Sequence, residues 1–107
     1  MPDRTLDELR RVYDDLVSLH GWADFRTPRN MALALTGRVG AVAAHLQFAA
    51  EGEPARGTTT PELRAELADC LVYLVGLADA LGVDVLDEAV ARIGAAVEKD
   101  TGKSVRG

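Results

Sequence analysis

Residues 60–82 read "TPELRAELADCLVYLVGLADALG", and this stretch decides the fold. A threonine followed by a proline is a helix start, because Thr60 can cap the first turn and Pro61 suits the first helical position. Apolar residues then recur every three or four positions, at Leu63, Leu67, Leu71, Leu74, Ala78 and Leu81. This spacing predicts an α-helix that ends at Gly82. A second apolar edge at Ala68, Val72 and Val75 predicts that the helix is covered on two sides.

The same signals recur on both sides of this helix. Thr5 and Glu8 have capping-box spacing ahead of an apolar repeat that runs to Gly21. Thr27 with its following proline opens a second helix toward residue 50, and Asp84 can cap a fourth. The fourth helix has an apolar row that we expect to face inward, at Leu86, Val90, Ile93 and Val97. With no strand pattern in the sequence, the predicted class is all-α with four helices.

The chain is short enough for one domain, at 107 residues. We expect a single domain over 1–107, with a core at about 5–99 and a mobile tail at 100–107. A domain of this size leaves apolar surface to be covered, which makes self-association plausible. Gly37 and Gly40 lower the helix propensity of the second helix, so they predict the close approach of another backbone.

Charge and composition exclude some classes of partner. The net charge is −5 and the basic residues are scattered, whereas nucleic-acid and membrane-surface binders need clustered Lys and Arg. We therefore expect no nucleic-acid partner and no membrane partner. The sequence also contains no signal peptide and no long apolar run, which predicts a cytoplasmic location.

Three polar residues of the third helix project from one side. Glu66 and Asp69 are three residues apart, and Tyr73 is four further on. A cation between the two carboxylates would turn their repulsion into binding, and oxygen ligands favour Mg²⁺ or Mn²⁺. The alternative is that both carboxylates are simply solvated surface.

The second helix carries its own polar line in residues 36–48, "TGRVGAVAAHLQF". Arg38, Ala41 and His45 fall on one face of it. His45 has two interpretations, as a partly exposed helix histidine or as a side chain that lines a cleft for catalysis or ligand binding.

Several segments taken together resemble one family. The order "W..F.TPRN.ALALTG.VG", then "HLQF", then "ELRAELADCLVYLVGLADALGVD" is similar to the MazG-type all-α nucleoside triphosphate pyrophosphohydrolases, especially their dCTP pyrophosphatase branch. The resemblance implies a four-helix unit assembled as a dimer or a dimer of dimers. It also implies cleavage of a (deoxy)nucleoside triphosphate to the monophosphate and pyrophosphate, with Mg²⁺ held between an ExxE and an ExxD motif.

Only half of that metal motif is kept. Glu66 and Asp69 occupy the ExxD positions, but Arg38 and Ala41 occupy the ExxE positions, and Ala44 replaces a further acidic residue. Arg38 has three interpretations. It forms an ion pair with the two carboxylates, or it binds a phosphate or carboxylate of a ligand, or it faces solvent without a role.

The resemblance also implies a ligand-binding side. Trp22 resembles a family aromatic that stacks on the nucleobase, although a hydrophobic plug over the helix ends is an equal alternative. Tyr73 resembles a tyrosine near the phosphates or sugar, and Asn30 keeps the family's asparagine after proline. Arg26 replaces a family histidine and Phe48 replaces a tryptophan, so base selectivity cannot be carried over.

These residues lead to one functional hypothesis and two alternatives. The favoured hypothesis is a family member that is catalytically degenerate, or repurposed for metal-independent binding of, or chemistry on, a nucleotide or other small anion. The alternatives are an active Mg²⁺-dependent pyrophosphatase that borrows groups from a partner subunit, and a non-catalytic helical interaction protein. The residues available for acid–base work are Arg38, His45, Glu66, Asp69 and Tyr73.

Overall fold

The computed structural model describes residues 4–47 and 60–102, and these form four α-helices and one short 3₁₀ turn. No strand occurs in these two ranges, so the predicted all-α class is confirmed. In chain order the elements are α1 (Leu6–His20), the 3₁₀ turn (Ala23–Phe25), α2 (Pro28–Leu46), α3 (Pro61–Ala80) and α4 (Val85–Thr101).

The helix starts predicted from the sequence are confirmed. The side chains of Thr5, Thr27, Thr60 and Asp84 each accept a hydrogen bond from the backbone N–H three residues on, at 3.0 to 3.2 Å. Each bond satisfies one of the N–H groups that a helix start leaves without a partner. Gly21 ends α1 in the left-handed conformation at φ 67°, which glycine adopts without a steric penalty.

The core lies mainly between α2 and α3, which run antiparallel. Met31, near the start of α2, meets Gly76 near the end of α3, while Arg38 meets Glu66 near the start of α3. The buried apolar side chains among the described residues are Val17, Met31, Leu63, Val75 and Ala78. Gly76 leaves room for the terminal methyl group of Met31, since a Cβ at this position would overlap that methyl group.

Gly76→Val should therefore displace the Met31 side chain and destabilise the protein by about 1 kcal/mol, the low end of the cost of overpacking a core, because the overlapping methyl group is the end of a flexible side chain. In a Met31→Ala background much of this loss should disappear, because the overlapping methyl group is gone. Gly40→Val is the matched control, since a Cβ at Gly40 meets no atom within 4 Å. Urea unfolding of the four variants measures the differences, and an equal loss at both glycines would contradict this packing.

Gly37 and Gly40 have no close neighbour among the described residues. A Cβ at either position meets nothing within 4 Å there. The described part of this copy therefore does not make the predicted close approach, and an approach by the backbone of a second copy stays a prediction. The close approach that the sequence did not indicate is at Gly76, on α3.

The apolar row of α4 is also placed differently from the prediction. Leu86, Val90, Ile93 and Val97 are 40 to 63% exposed rather than inward, and α4 touches the other helices at few points. On α3 the buried side is Leu63, Val75 and Ala78, whereas Leu67, Leu71, Leu74 and Leu81 are exposed, so this chain covers only one side of α3. Within residues 4–47 and 60–102 of one copy, neither expected coverage is therefore found.

Two further predictions have structural outcomes. Asp100 and Thr101 belong to α4 and not to a mobile tail, and residues 103–107 of the tail predicted at 100–107 lie outside the described ranges. In the part of the chain that is described, no helix combines the length and apolar character needed to cross a membrane.

Candidate functional site

An ion-paired arginine joins α2 to α3. Arg38 Nη1 donates a hydrogen bond to Glu66 Oε2 at 3.2 Å, and Arg38 Nε lies 3.8 Å from Asp69 Oδ2. The side chains of Arg38 and Glu66 are 42% and 21% exposed, so the pair is reached by solvent from one side. Of the three interpretations of Arg38, the structure shows the ion pair with the two carboxylates.

The electrostatics of this pair favour its charged form. The hydrogen bond to Glu66, followed by the negative charges of Glu66 and Asp69, raises the pKa of Arg38 above its already high ordinary value. The guanidinium is therefore a permanent cation between the two carboxylates.

The donor set does not fit the magnesium that the family resemblance implies. Within residues 4–47 and 60–102, no group of three or more His, Cys, Asp or Glu side chains converges as a metal site. Glu66 and Asp69 supply oxygen ligands, but Arg38 of α2 lies against them, and Ala41 is at the other ExxE position that the family resemblance implies. A cationic side chain opposes a divalent ion, and a methyl group donates nothing to it.

An aromatic cavity of about 490 Å³ lies beside the ion pair. Six of its lining side chains carry a ring or a polar group, and these are Tyr13, Trp22, Phe25, Arg26, Asn30 and Tyr73. Met31 and Ala34 of α2 complete the lining. The volume is in the range of small-molecule sites, and the mixture of apolar surface with few polar groups is also typical of them.

Trp22 is held at this cavity by a stack on His20. The two ring centroids are 4.4 Å apart with planes at 16°. His20 is the last residue of α1 and Gly21 turns the chain immediately after it, which brings the indole back over the end of the helix. Trp22 is therefore a positioned ring that remains 42% exposed at the cavity.

Arg26 is held from two directions. Its Nη1 donates a hydrogen bond to Asp14 Oδ1 at 2.8 Å, and its Cζ lies 4.8 Å from the centre of the Tyr13 ring. The first contact is a salt bridge and the second is a cation–π contact. The side chain is 28% exposed, so the guanidinium lies against the protein while it lines the cavity.

Tyr73 connects the cavity to the ion pair. It lines the aromatic cavity, and it also lines a neighbouring cavity of about 350 Å³ together with Asp69. Along α3 the two residues are one turn apart. Of the residues predicted for the site, Glu66, Asp69 and Arg38 are brought together, and Tyr73, Trp22, Arg26 and Asn30 line the adjoining space.

His45 does not line this cavity. His45 is exposed near the end of α2 and is absent from the cavity lining, so its helical line with Arg38 and Ala41 does not bring it to the cavity. The cleft role considered for it is therefore not supported by its position. Phe48, predicted as a ligand-binding residue, lies outside the described residues.

Sequence reasoning missed three members of this arrangement. Tyr13 lies within the apolar repeat that precedes Gly21 and was not singled out, and neither were His20 and Asp14. The sequence did contain an indication for Tyr13, because a tyrosine among leucines and valines has a hydroxyl group that needs a hydrogen-bond partner when it is buried. The contacts of His20 and Asp14 depend on how the loop after α1 folds back.

Burial of Tyr13 has a measurable consequence. Desolvation, with a smaller contribution from nearby Tyr73, raises the pKa of Tyr13 above the ordinary 10.0. A raised pKa means that the folded state holds the phenolic proton more tightly, so the stabilisation is complete below pH 10 and is lost as the pH rises further. Spectrophotometric titration should show a phenol that ionises above the ordinary range, and Tyr13→Phe should remove that component. Retention of the component in Tyr13→Phe would contradict the assignment.

Comparison with known proteins places this arrangement in context. No family model matches the chain. Human dCTP pyrophosphatase 1 is 40% identical over 88 residues, which is 78% of this chain and 52% of that protein. The rat protein of the same name is 35% identical over 96 residues, covering 86% of this chain and 56% of its own length. The chain thus spans about half the length of the curated relatives it matches.

A solved structure agrees on the fold. A pyrophosphatase from Archaeoglobus fulgidus DSM 4304 superposes with a TM-score of 0.76, covering 96% of this chain and 97% of that one at 24% sequence identity. This likeness shows a shared all-α fold. The curated relatives confirm the resemblance in sequence to dCTP pyrophosphatases that the motifs predicted, over about half the length of those proteins.

Proposed function

We propose that this chain binds a nucleoside phosphate without magnesium and has lost the metal-dependent hydrolysis of its relatives. The observation that carries the proposal is the Arg38 guanidinium, which lies 3.2 Å from a carboxylate oxygen of Glu66 and 3.8 Å from one of Asp69. It occupies the position between α2 and α3 where the family resemblance implies the metal.

Arg38 can exchange its partners for a ligand. Among the described residues, the Arg38 guanidinium donates one hydrogen bond, to Glu66. Its contact with Asp69 is too long for a hydrogen bond, at 3.8 Å. The guanidinium has five N–H donors in a planar fork, which suits the oxygens of a phosphate. A ligand phosphate that approaches from the solvent side would therefore find a cation with donors to spare.

The aromatic cavity supports a nucleoside as the remaining part of the ligand. Trp22 offers a fixed ring for stacking at the cavity, and Tyr73 lies between this ring and the ion pair. A base in the cavity and a phosphate toward Arg38 would match the order of groups in a nucleotide. The names of the curated relatives make dCTP the first ligand to test.

Calorimetric titration with the four deoxynucleoside triphosphates tests the proposal, first in the presence of a chelator and then with Mg²⁺. An assay of pyrophosphate release accompanies it. We expect the protein to bind a nucleotide in the presence of the chelator and to release no pyrophosphate when Mg²⁺ is added. In Arg38→Gln the affinity should fall about tenfold or more, because a charge-assisted hydrogen bond to the phosphate is lost. Arg29→Gln, which removes the same charge from the exposed start of α2 outside the cavity lining, should bind as the unchanged protein does. Failure of every nucleotide to bind or to shift the melting temperature would overturn the proposal and favour a helical interaction protein.

A second candidate function is an active Mg²⁺-dependent pyrophosphatase. Both carboxylates of the ExxD half are present, the Arg38 side chain is 42% exposed and able to swing aside, and the curated relatives are named dCTP pyrophosphatases. Further acidic ligands would then come from a partner subunit. Mg²⁺-dependent release of pyrophosphate that is abolished in Glu66→Gln would establish this candidate in place of the first.

We also propose that the functional unit is a homo-oligomer, a dimer or a tetramer. The exposed apolar row of α4, together with the exposed leucines of α3, supports this part of the proposal. A second copy of the chain is the partner whose surface carries matching apolar rows.

A further inference from the structure

We propose that Arg26 reads the edge of the bound base and selects bases that present two adjacent hydrogen-bond acceptors. The inference rests on the proposed function, because it assumes that a nucleotide enters the aromatic cavity. It adds a specificity-determining residue and the class of base.

Arg26 is arranged as a fixed planar donor. The Tyr13 ring lies against its guanidinium at 4.8 Å and Asp14 accepts one N–H at 2.8 Å, which together set the plane and one direction of the fork. A guanidinium has five N–H donors, so the side chain retains donors beyond the one used by Asp14. Because these contacts already fix the side-chain conformation of Arg26, ligand binding costs little further side-chain entropy.

Among the described residues, no charged acceptor lines the cavity to compete for this fork. The polar side chains of the lining besides Arg26 are neutral, the amide of Asn30 and the hydroxyls of Tyr13 and Tyr73. Asp14, which pairs with Arg26, is itself 60% exposed and is not part of the lining. The strongest unmatched polar feature inside the cavity is therefore a cationic, planar, two-pronged donor.

The bases differ in what they offer such a donor. Guanine presents O6 and N7 as adjacent acceptors, which is the edge that arginine binds with two parallel hydrogen bonds. Cytosine presents O2 and N3 side by side when its pairing edge is free. Adenine places a donor amine beside N7, and thymine places an N–H between its two carbonyl groups. Arg26 therefore favours guanine and cytosine over adenine and thymine.

The experiment is calorimetric titration of the full chain with the four deoxynucleoside monophosphates in the presence of a chelator. We expect dGMP and dCMP to bind roughly 5- to 100-fold more tightly than dAMP and dTMP, the range for one bidentate pair. Trp22 is the sole tryptophan of the chain, so its fluorescence gives a second readout of occupancy at the cavity. The relative order of dGMP and dCMP shows which acceptor edge is read.

Three variants distinguish a base reader from a general cation. Arg26→Lys keeps the charge and loses the fork, so the four affinities should fall within about threefold of one another. Asp14→Asn, at an exposed position, should reduce the preference while leaving the fold intact. Arg29→Lys makes the same exchange outside the cavity and should keep the full preference.

Equal binding of all four nucleotides by the unchanged chain would overturn the role of Arg26 and leave the proposed function standing. An undiminished preference in Arg26→Lys would do the same. Absence of binding by every nucleotide, with and without Mg²⁺, would overturn both proposals together.

Discussion

Arg38→Glu combined with Ala41→Glu is expected to create a magnesium site where this chain now has an ion pair. The double change replaces a cation and a methyl group by two carboxylates, which face Glu66 and Asp69 across the interface of α2 and α3. Four carboxylates within one cleft repel one another strongly in the absence of a cation, and oxygen ligands of this kind are those that Mg²⁺ prefers. Calorimetry should change from no measurable Mg²⁺ binding to a Kd of about 10⁻³ M or tighter, the affinity of weak carboxylate sites.

The electrostatic part of this expectation has a charge-matched control. Arg29→Glu with Ala95→Glu changes the net charge by the same amount at exposed positions away from the ion pair. This control should bind no Mg²⁺, and its melting temperature should not depend on the ion. The Arg38→Glu/Ala41→Glu variant should melt at a lower temperature than the unchanged chain in a chelator and regain stability as Mg²⁺ is added. A double variant that binds no metal would show that residues 38 and 41 do not face Glu66 and Asp69 as the family's ExxE does.

The ends of the helices were predictable because they depend on local chemistry. Thr27 and Thr60 accept hydrogen bonds from backbone groups three residues away, so the cap, the following proline and the first turn are all contained in a short stretch of sequence. The ion pair was one of three interpretations of Arg38 for a related reason. The alignment of the second and third helices with the family motif implies that Arg38 faces the ExxD carboxylates, although it does not decide whether their side chains pair.

The remaining contacts of the site depend on tertiary arrangement that no spacing reveals. Arg26 reaches Tyr13 and Asp14 only because the loop after α1 folds back, and the stack of Trp22 on His20 has the same origin. These contacts join segments that differ in secondary structure, so neither helical nor strand periodicity relates them.

The apolar row of α4 shows a different limit. Helical periodicity identified Leu86, Val90, Ile93 and Val97 correctly as one face, but it cannot say which molecule covers that face. Helix propensity likewise predicted a close neighbour for Gly37 and Gly40, and the described residues of one copy provide none within 4 Å. An amphipathic pattern predicts that a face is buried, whereas the structure of one copy shows only what that copy can bury.

Ile93→Asp is expected to separate the chain into monomers. Ile93 is 63% exposed in the single chain and lies in the middle of the apolar row of α4. Burial of an isoleucine side chain is worth about 1.5–3 kcal/mol, and in a symmetric dimer the change occurs twice, so at least about 3 kcal/mol of association energy is lost. That loss corresponds to roughly 100-fold or more in the Kd of the dimer. Analytical ultracentrifugation over a range of concentrations measures it directly.

Ala95→Asp is the matched control, because residue 95 is exposed and lies on nearly the opposite side of α4 from residue 93. It introduces the same charge into the same helix, so it controls for helix propensity and net charge. If a second copy covers the apolar row, Ala95→Asp should remain associated while Ile93→Asp does not, and only Ile93→Asp should lose the dependence of melting temperature on protein concentration. Helical circular dichroism separates loss of association from loss of folding. A chain that is monomeric before any substitution would remove the second copy as the partner, and the exposed row would then belong to a contact with a different protein.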